Sequence, residues 1–394
     1  MTAIDWPNDV PAGCPFPRST SFSRVRFSGR YATYTDADTW YPSWATDGDL
    51  YSPWTDGVVN GQACLSFHQR LANKYLFNLD PDAPASTGQA RIVGDDPLHL
   101  EIINLGTFAG DPAPYAGRYP GGSLVYDGVW YYGSYTLDDI DGSCGNWCTL
   151  GPFVGFRVST DGGKSWTEAP HTPARPLFKE TAVNGERVRI GAPHVVDFGR
   201  NMEHSPDGKA YLVAHGSSGP GGWANWIAGD AIYLLRVSPS PATMNDSSAY
   251  EFFGGYDRHG ESRWVTDVGA MQPLLLWDGH LGCVTATYLA PLRRYVMCVS
   301  RPSDGIHAIG TCDTLLLEAP QLSGPWQLMH YLPMFGRQAY FVNIPSKFVS
   351  TNGTSMWLCY SANFSDLIGA AHESVPPGSR YAMCLQELLL LPSP

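Results

Sequence analysis

The sequence predicts an all-β chain folded as a five-bladed β-propeller, and three observations carry that reading. The first is composition: of 394 residues, 13% are aromatic and only 16% charged, with 42 Gly and 32 Pro. Gly and Pro punctuate helices and aromatic rings favour pleated surfaces, so the chain should be rich in turns and strands. The second is a recurring unit: a Pro-flanked apolar run, a two-residue turn, a returning run and further outer strands. The third is residues 159–166, where Ser159, Asp161, Gly163 and Trp166 give the pattern S-x-D-x-G-x-x-W. There Asp161 can bond the backbone of its own tight turn while Trp166 packs beneath it.

Taken in order, residues 1–20 form an irregular, Pro-rich leader. SFSRVRFSGRYATY then alternates polar and apolar, the period of a half-buried strand. DGDLYSPWTDG reads as a turn at Asp47-Gly48, a short strand, and a second turn at Asp56-Gly57. Residues 78–96 carry PDAPASTGQ, an exposed connection. Further hairpins turn at Asp127-Gly128, Asp207-Gly208, Asp278-Gly279 and Asn352-Gly353. The apolar ELLLL near the end belongs in a blade shared with the N-terminus, as circular folds close. Counted from Asp38, Tyr119, His194, Gln272 and Phe341, the units number about five, within the range of propeller blades, in one domain over residues 1–394. A pair of β-sandwiches is the rival architecture, and the absence of a clear linker speaks against it. The residue 159–166 pattern matches the Asp-box of sialidase-like propellers, a structural motif that marks a blade.

A net charge of -12 argues against a nucleic-acid partner, which requires a basic face. No apolar run is long enough to span a bilayer, so no membrane partner is expected. Residues 1–17 lack the basic and apolar regions of a signal peptide. Three Asn-x-Ser/Thr acceptors, Asn245, Asn352 and Asn363, are compatible with a secretory route, so a secreted protein shown without its leader is the expectation and a cytosolic one the alternative. Nine cysteines are an odd number. Cys144 and Cys148 have the spacing of a loop disulfide, and Cys14 could join a distant partner. No zinc spacing, P-loop, dinucleotide fingerprint or G-x-S-x-G elbow occurs, so neither metal nor cofactor is expected. Oligomeric state is not set by the sequence.

Chemistry concentrates in residues 35–57. That stretch holds Asp36, Asp38, Asp47, Asp49 and Asp56 with Trp40, Trp44, Trp54 and two tyrosines, and no Lys or Arg. Carboxylates without a cation are costly to bury, whereas acids beside flat rings suit a sugar cleft: rings stack on apolar sugar faces, and carboxylates bond hydroxyls or move protons. The plainer account is a turn-rich hairpin with solvated acids and rings in a core. In a propeller the starts of the inner strands converge on one funnel, and those starts carry Asp38 and Tyr41; Tyr115, Arg118 and Tyr119; His194; Gln272; and Tyr340 with Asn343. Two carboxylates are the minimum for glycosidic cleavage, one protonating the departing oxygen while the other activates water or attacks the anomeric carbon. Asp38 and Asp56 are the candidates, because Asp47 and Asp49 flank Gly48 and shape a turn, and Asp36 reads as a solvated loop acid. Trp40, Trp44 and Trp54 are the stacking candidates, and Tyr119, His194 and Gln272 the hydroxyl binders. His194 fits a core histidine equally well.

DADTWYPSWATDGDLYSPWTDG resembles the signature of glycoside hydrolase family 183, the endo-D-arabinanases, first known as a domain of unknown function. RIGAPHVVDFG and the Asp-box region resemble that family's later blades. The resemblance implies a propeller cleaving α-D-arabinofuranosyl linkages of mycobacterial envelope arabinan, with the two family acids falling on Asp38 of ADTW and Asp56 of WTDG. The cysteine content and the fourth blade depart from the family pattern. A non-catalytic lectin and a polysaccharide lyase are the alternatives. Lectin propellers usually repeat one binding motif per blade, whereas here the acids and tryptophans gather in one, and a lyase acting on a uronate chain would contend with the negative charge.

Overall fold

Apolar runs reversed at Gly- and Asx-rich turns fold into antiparallel strands throughout, in a computed structural model that describes residues 2–66, 85–109, 119–138, 149–180, 188–219, 224–303, 310–365 and 373–392. The chain enters through β1 (Ile4–Asp5) and β2 (Phe22–Tyr34). The first blade holds β3 (Asp36–Asp38), β4 (Ser43–Trp44), β5 (Leu50–Val59), β6 (Gln62–Cys64), β7 (Ser86–Val93) and β8 (Glu101–Ala109). The second holds β9 (Tyr119–Tyr126), β10 (Val129–Asp138) and β11 (Thr149–Ser159). The third holds β12 (His194–Val195), β13 (Ala210–Gly216), β14 (Ala228–Val237), β15 (Glu251–Tyr256) and β16 (Ser262–Val265). The fourth holds β17 (Leu275–Leu289), β18 (Arg294–Pro302), β19 (Cys312–Ala319) and β20 (Gln327–Leu332). The fifth holds β21 (Tyr340–Asn343), β22 (Ser355–Ser361) and β23 (Met383–Pro392).

The ring closes as the apolar C-terminal strand leads one to expect. β23 pairs with β2 from Phe22↔Pro392 to Tyr34↔Met383, so the fifth sheet runs β1-β2-β23-β22-β21. Apolar layers fill the spaces between neighbouring blades, as sheets packing face to face require. Trp40, Leu50 and Trp54 meet Trp357, Cys359 and Leu385 between the first and fifth blades. Ala45 and Tyr51 meet Val125, Trp130 and Tyr132 between the first and second. In the Asp-box, Asp161 accepts from the Ser165 N–H at 2.9 Å and its hydroxyl at 2.6 Å. Trp166 packs on Trp130 at 5.1 Å between ring centroids.

Four expectations are corrected. Asp56-Gly57 is not a turn but lies inside β5, which reverses at Asn60-Gly61, both at positive φ. Asp278-Gly279 likewise lies within β17. The first half of that strand runs along β14 of the third blade, joining the two blades in one sheet, and the blade-four hairpin reverses at Ala290–Leu292 and Arg293 instead. The leader contributes an outer strand, β1, against Arg26 and Phe27. Cys14 is a free thiol, as are Cys64, Cys283, Cys298, Cys312, Cys359 and Cys384, while Cys144 and Cys148 lie outside the described residues.

Candidate active site

β3 is only three residues long and is bounded by two β-branched residues in the left-handed region, Thr35 (φ 65) and Thr39 (φ 61). Such backbone is rare for threonine. Opposite it, the register runs Asp36↔Val58 and then Asp38↔Thr55, so β5 carries one extra residue. That residue forms a β-bulge, with Asp56 at φ 48. A bulge re-aims a side chain that regular alternation would send elsewhere. Gly57 permits it: a Cβ there would sit 2.1 Å from the Asp36 carbonyl oxygen. Phe341 (φ 45), beside Tyr340, and Asn363 (φ 54), beside Phe364, add further strained backbone around the same cluster. Concentrations of this kind are characteristic of functional sites.

Both aspartates are buried, 6% and 9% exposed, and among the described residues neither forms an ion pair. The other acids of the stretch are otherwise engaged. Arg380 faces Asp36 at 3.4 Å, Arg91 binds Asp49, and Asp47 accepts from the Asp49 N–H and the Tyr51 hydroxyl. Asp38 Oδ2 accepts from the Tyr340 hydroxyl at 2.5 Å, and its Oδ1 faces the Thr39 hydroxyl at 3.3 Å. Asp56 accepts from the Ser66 N–H at 2.6 Å and the Ser66 hydroxyl at 2.7 Å. The Tyr381 hydroxyl donates to the Asp56 carbonyl at 2.7 Å.

The two acids therefore differ in their surroundings. Burial pushes Asp38 well above the carboxylate range, and the neighbouring Asp56 charge adds to it, against the opposing hydrogen bonds from Tyr340, Tyr381 and Thr39. Burial also raises Asp56, to about 6, tempered by the Ser66 and Thr55 donors. The like charge of Asp56 makes Asp38 the member of the pair more inclined to keep a proton. Burial and the two carboxyls push both phenols well up, which keeps them protonated donors.

The other expected residues divide. Tyr340 joins the acids and packs edge-on against Trp226 and Phe364 at 5.4 and 5.5 Å. Tyr41 stands edge-on to His194 at 4.3 Å, with Phe341 behind both. Burial lowers His194 to about 3, leaving it neutral, and its Nε2 has no partner among the described residues. Tyr119 packs on Tyr135 at 5.5 Å, and the Asn343 amide ties the fifth blade to the Trp40 carbonyl at 3.0 Å.

Trp40 and Trp54 are corrected: at 2% and 0% exposure they are core rings between blades, and Trp54 presses on Gly88. Trp44 is half-buried six residues beyond Asp38 along the inner chain, its indole N–H donating to Gly48 and its ring lining a small cavity with Asp197 and Met202. Gln272 is exposed and its N–H donates to Phe253 of β15, an outer strand, because the inner part of β17 begins near Cys283 rather than at Gln272. Arg118 and Tyr115 lie outside the described residues. Sequence reasoning missed Ser66, Tyr381, Trp226 and Phe364. Each is distant in sequence from the residue 35–57 stretch or sits in no motif, so ring closure and loop return alone bring them in.

No protein-family model and no curated protein matches the chain. Among solved structures, a protein of Bacteroides ovatus ATCC 8483 named provisionally as a hydrolase aligns over 99% of this chain and 96% of its own, at 14% identity and a TM-score of 0.50. A family 117 glycoside hydrolase of the marine bacterium Zobellia galactanivorans aligns over 94% and 90%, at 12% identity and 0.49. An α-L-arabinofuranosidase from Podospora anserina aligns over 99% and 96%, at 10% identity and 0.44. At such identities the likeness is one of fold.

Proposed function

We propose that the chain is a glycoside hydrolase that cuts furanosidic linkages within a polysaccharide, acting endo on α-D-arabinan, with Asp38 and Asp56 as its carboxyl pair. The observation that carries the reading is two buried aspartates, unpaired with any cation among the described residues and set at neighbouring positions of paired strands by a bulge, with burial raising both and the Asp56 charge raising Asp38 further. A structural role would favour neutralising or exposing them, because an unpaired buried carboxylate destabilises the fold.

In this reading Asp38 gives its proton to the glycosidic oxygen as the bond from the anomeric carbon to that oxygen breaks. The Asp56 carboxylate, steadied by the Ser66 donors, either takes a proton from the water whose oxygen bonds to the anomeric carbon or bonds to that carbon itself until water displaces it. Trp226, Tyr340 and Phe364 give the site an apolar wall in place of the buried Trp40 and Trp54. Support for the furanoside class comes from the resemblance of the first-blade stretch to the family 183 signature.

The test is incubation with a panel of arabinans and other furanoside and pyranoside polymers, with products separated by chromatography. Shortened arabinan chains are expected from the wild type, and none from Asp38→Asn or Asp56→Asn, both of which should still bind the polymer. Normal turnover by both Asn variants would remove the assignment. Binding by the wild type without cleavage would make the protein a lectin.

A further inference from the structure

Two phenols bracket Asp38, and each has a different second task. The Tyr340 ring packs edge-on against Trp226 and Phe364, which also touch each other, and is 3% exposed, so its hydroxyl has little freedom to move from its 2.5 Å bond to Asp38 Oδ2. Tyr381, just ahead of β23, spends its proton on the Asp56 carbonyl at 2.7 Å, and it also favours the ionised form of Asp38. A phenol cannot donate one proton to both. When Asp38 carries its proton, that proton can be given toward a phenol oxygen while Tyr381 serves the Asp56 carbonyl. When Asp38 loses it, both phenols can turn their protons onto the new carboxylate.

We infer that Tyr340 and Tyr381 are positioning residues that hold Asp38 in a single orientation and ready it to give up its proton, through hydrogen bonds that reach full strength only as the carboxylate forms. Strengthening as charge develops is what lowers a barrier, since equal binding of both states would not. The inference rests on the assignment of Asp38 as proton donor. The titratable and polar groups that act on Asp38 are Thr39 on its own chain segment, Asp56 and Cys64 from the rest of the first blade, Tyr41 after β3, Tyr135 from the second blade, and Tyr340 and Tyr381 from the fifth, with Cys283 of the fourth reaching it only through Tyr41 and Tyr135, and His194 only through Tyr41. The phenols and Thr39 are the donors in that set that favour the ionised acid.

Tyr340→Phe and Tyr381→Phe test this, each keeping the ring and removing the hydroxyl. On arabinan, kcat should fall ~10- to 100-fold with KM within about 2-fold, the size of effect that misplacing a reacting group produces. The alkaline limb of the kcat profile should move to higher pH, because the ionised acid has lost a donor. In parallel, infrared titration of the Asp38 carboxyl, identified by the band missing in Asp38→Asn, needs no substrate and should show the same upward displacement.

An unmoved band and limb in both Phe variants would overturn the inference. So would a Tyr340→Phe enzyme as inactive as Asp38→Asn with its Asp38 titration unchanged, which would make the phenol itself a reacting group. Should the wild type cleave none of the polymers, the functional reading fails, and the infrared titration still decides whether the phenols govern Asp38.

Discussion

Replacing Asp56 by Asn should stabilise the protein at neutral pH while abolishing its hydrolysis. In the folded chain burial lifts this carboxyl from an ordinary 3.8 to about 6, and each pH unit is worth 1.36 kcal/mol. Keeping Asp56 ionised at pH 7 therefore costs the fold about 3 kcal/mol. The sign follows from proton binding. Between pH 3.8 and 6 the folded state holds more protons than the unfolded one, so stability falls as pH rises through that window and stays lower above it.

Asn removes the charge and keeps an acceptor for the Ser66 N–H, so the variant should gain up to about 3 kcal/mol at pH 7 and nothing below pH 4. For a chain of this length that is about 3 to 4 °C in Tm. Thermal or urea unfolding of both proteins at pH 3.5, 5 and 7 reads the difference directly. If the two unfolding curves differ by the same amount at every pH, or if Asn destabilises at pH 7, the burial argument is wrong. A stabilising substitution that kills activity is the expected mark of a group retained for chemistry.

Other outcomes follow from the same geometry. The acid limb of the kcat profile should have its midpoint near pH 6, set by Asp56. Ser66→Ala should move it upward by removing a donor to the ionised form, and a midpoint unaffected by that change would detach Asp56 from the limb. Gly88→Ala should cost about 1 to 3 kcal/mol, since the new Cβ would lie 2.0 Å from Trp54 Cε2. Trp54→Ala should cost ~3 to 5 kcal/mol with KM for the polymer unchanged, which denaturant melts and steady-state kinetics check together. Asp161→Ala should lower Tm through the lost Ser165 and Lys164 bonds and leave kcat alone, and its native contribution should disappear as pH falls toward about 2, where this carboxyl titrates.

Strand periodicity, turn dipeptides and the Asp-box made the propeller legible, because each depends on a few adjacent residues. Asp127-Gly128 and Asn352-Gly353 do turn, at φ 48 and 77 and at a Gly353 φ of 72. The same letters at Asp56-Gly57 make a bulge instead, since positive φ serves a bulge as well as a turn and only the partner strand distinguishes them. That ambiguity concealed how Asp56 comes beside Asp38, although the absence of local cations had already pointed to both. The tryptophans misled for a related reason: a ring suited to stacking on a sugar is equally suited to filling the space between blades, and Trp40 and Trp54 do the latter. Gln272 was displaced by counting blade four from the wrong turn. Tyr381 and Ser66 carry no local signal, because their roles arise from closure of the ring and the return of a loop.

The seam between the first and last strands gives the site a dependence on completion. Asp38 follows directly on the strand that zips to the C-terminal one, and the phenol it meets lies 302 positions further along the chain. A nascent or clipped polypeptide can contain both acids and still lack the groups that would orient them. On this account Asp38 gains its Tyr340 partner only once the two ends of the chain have met.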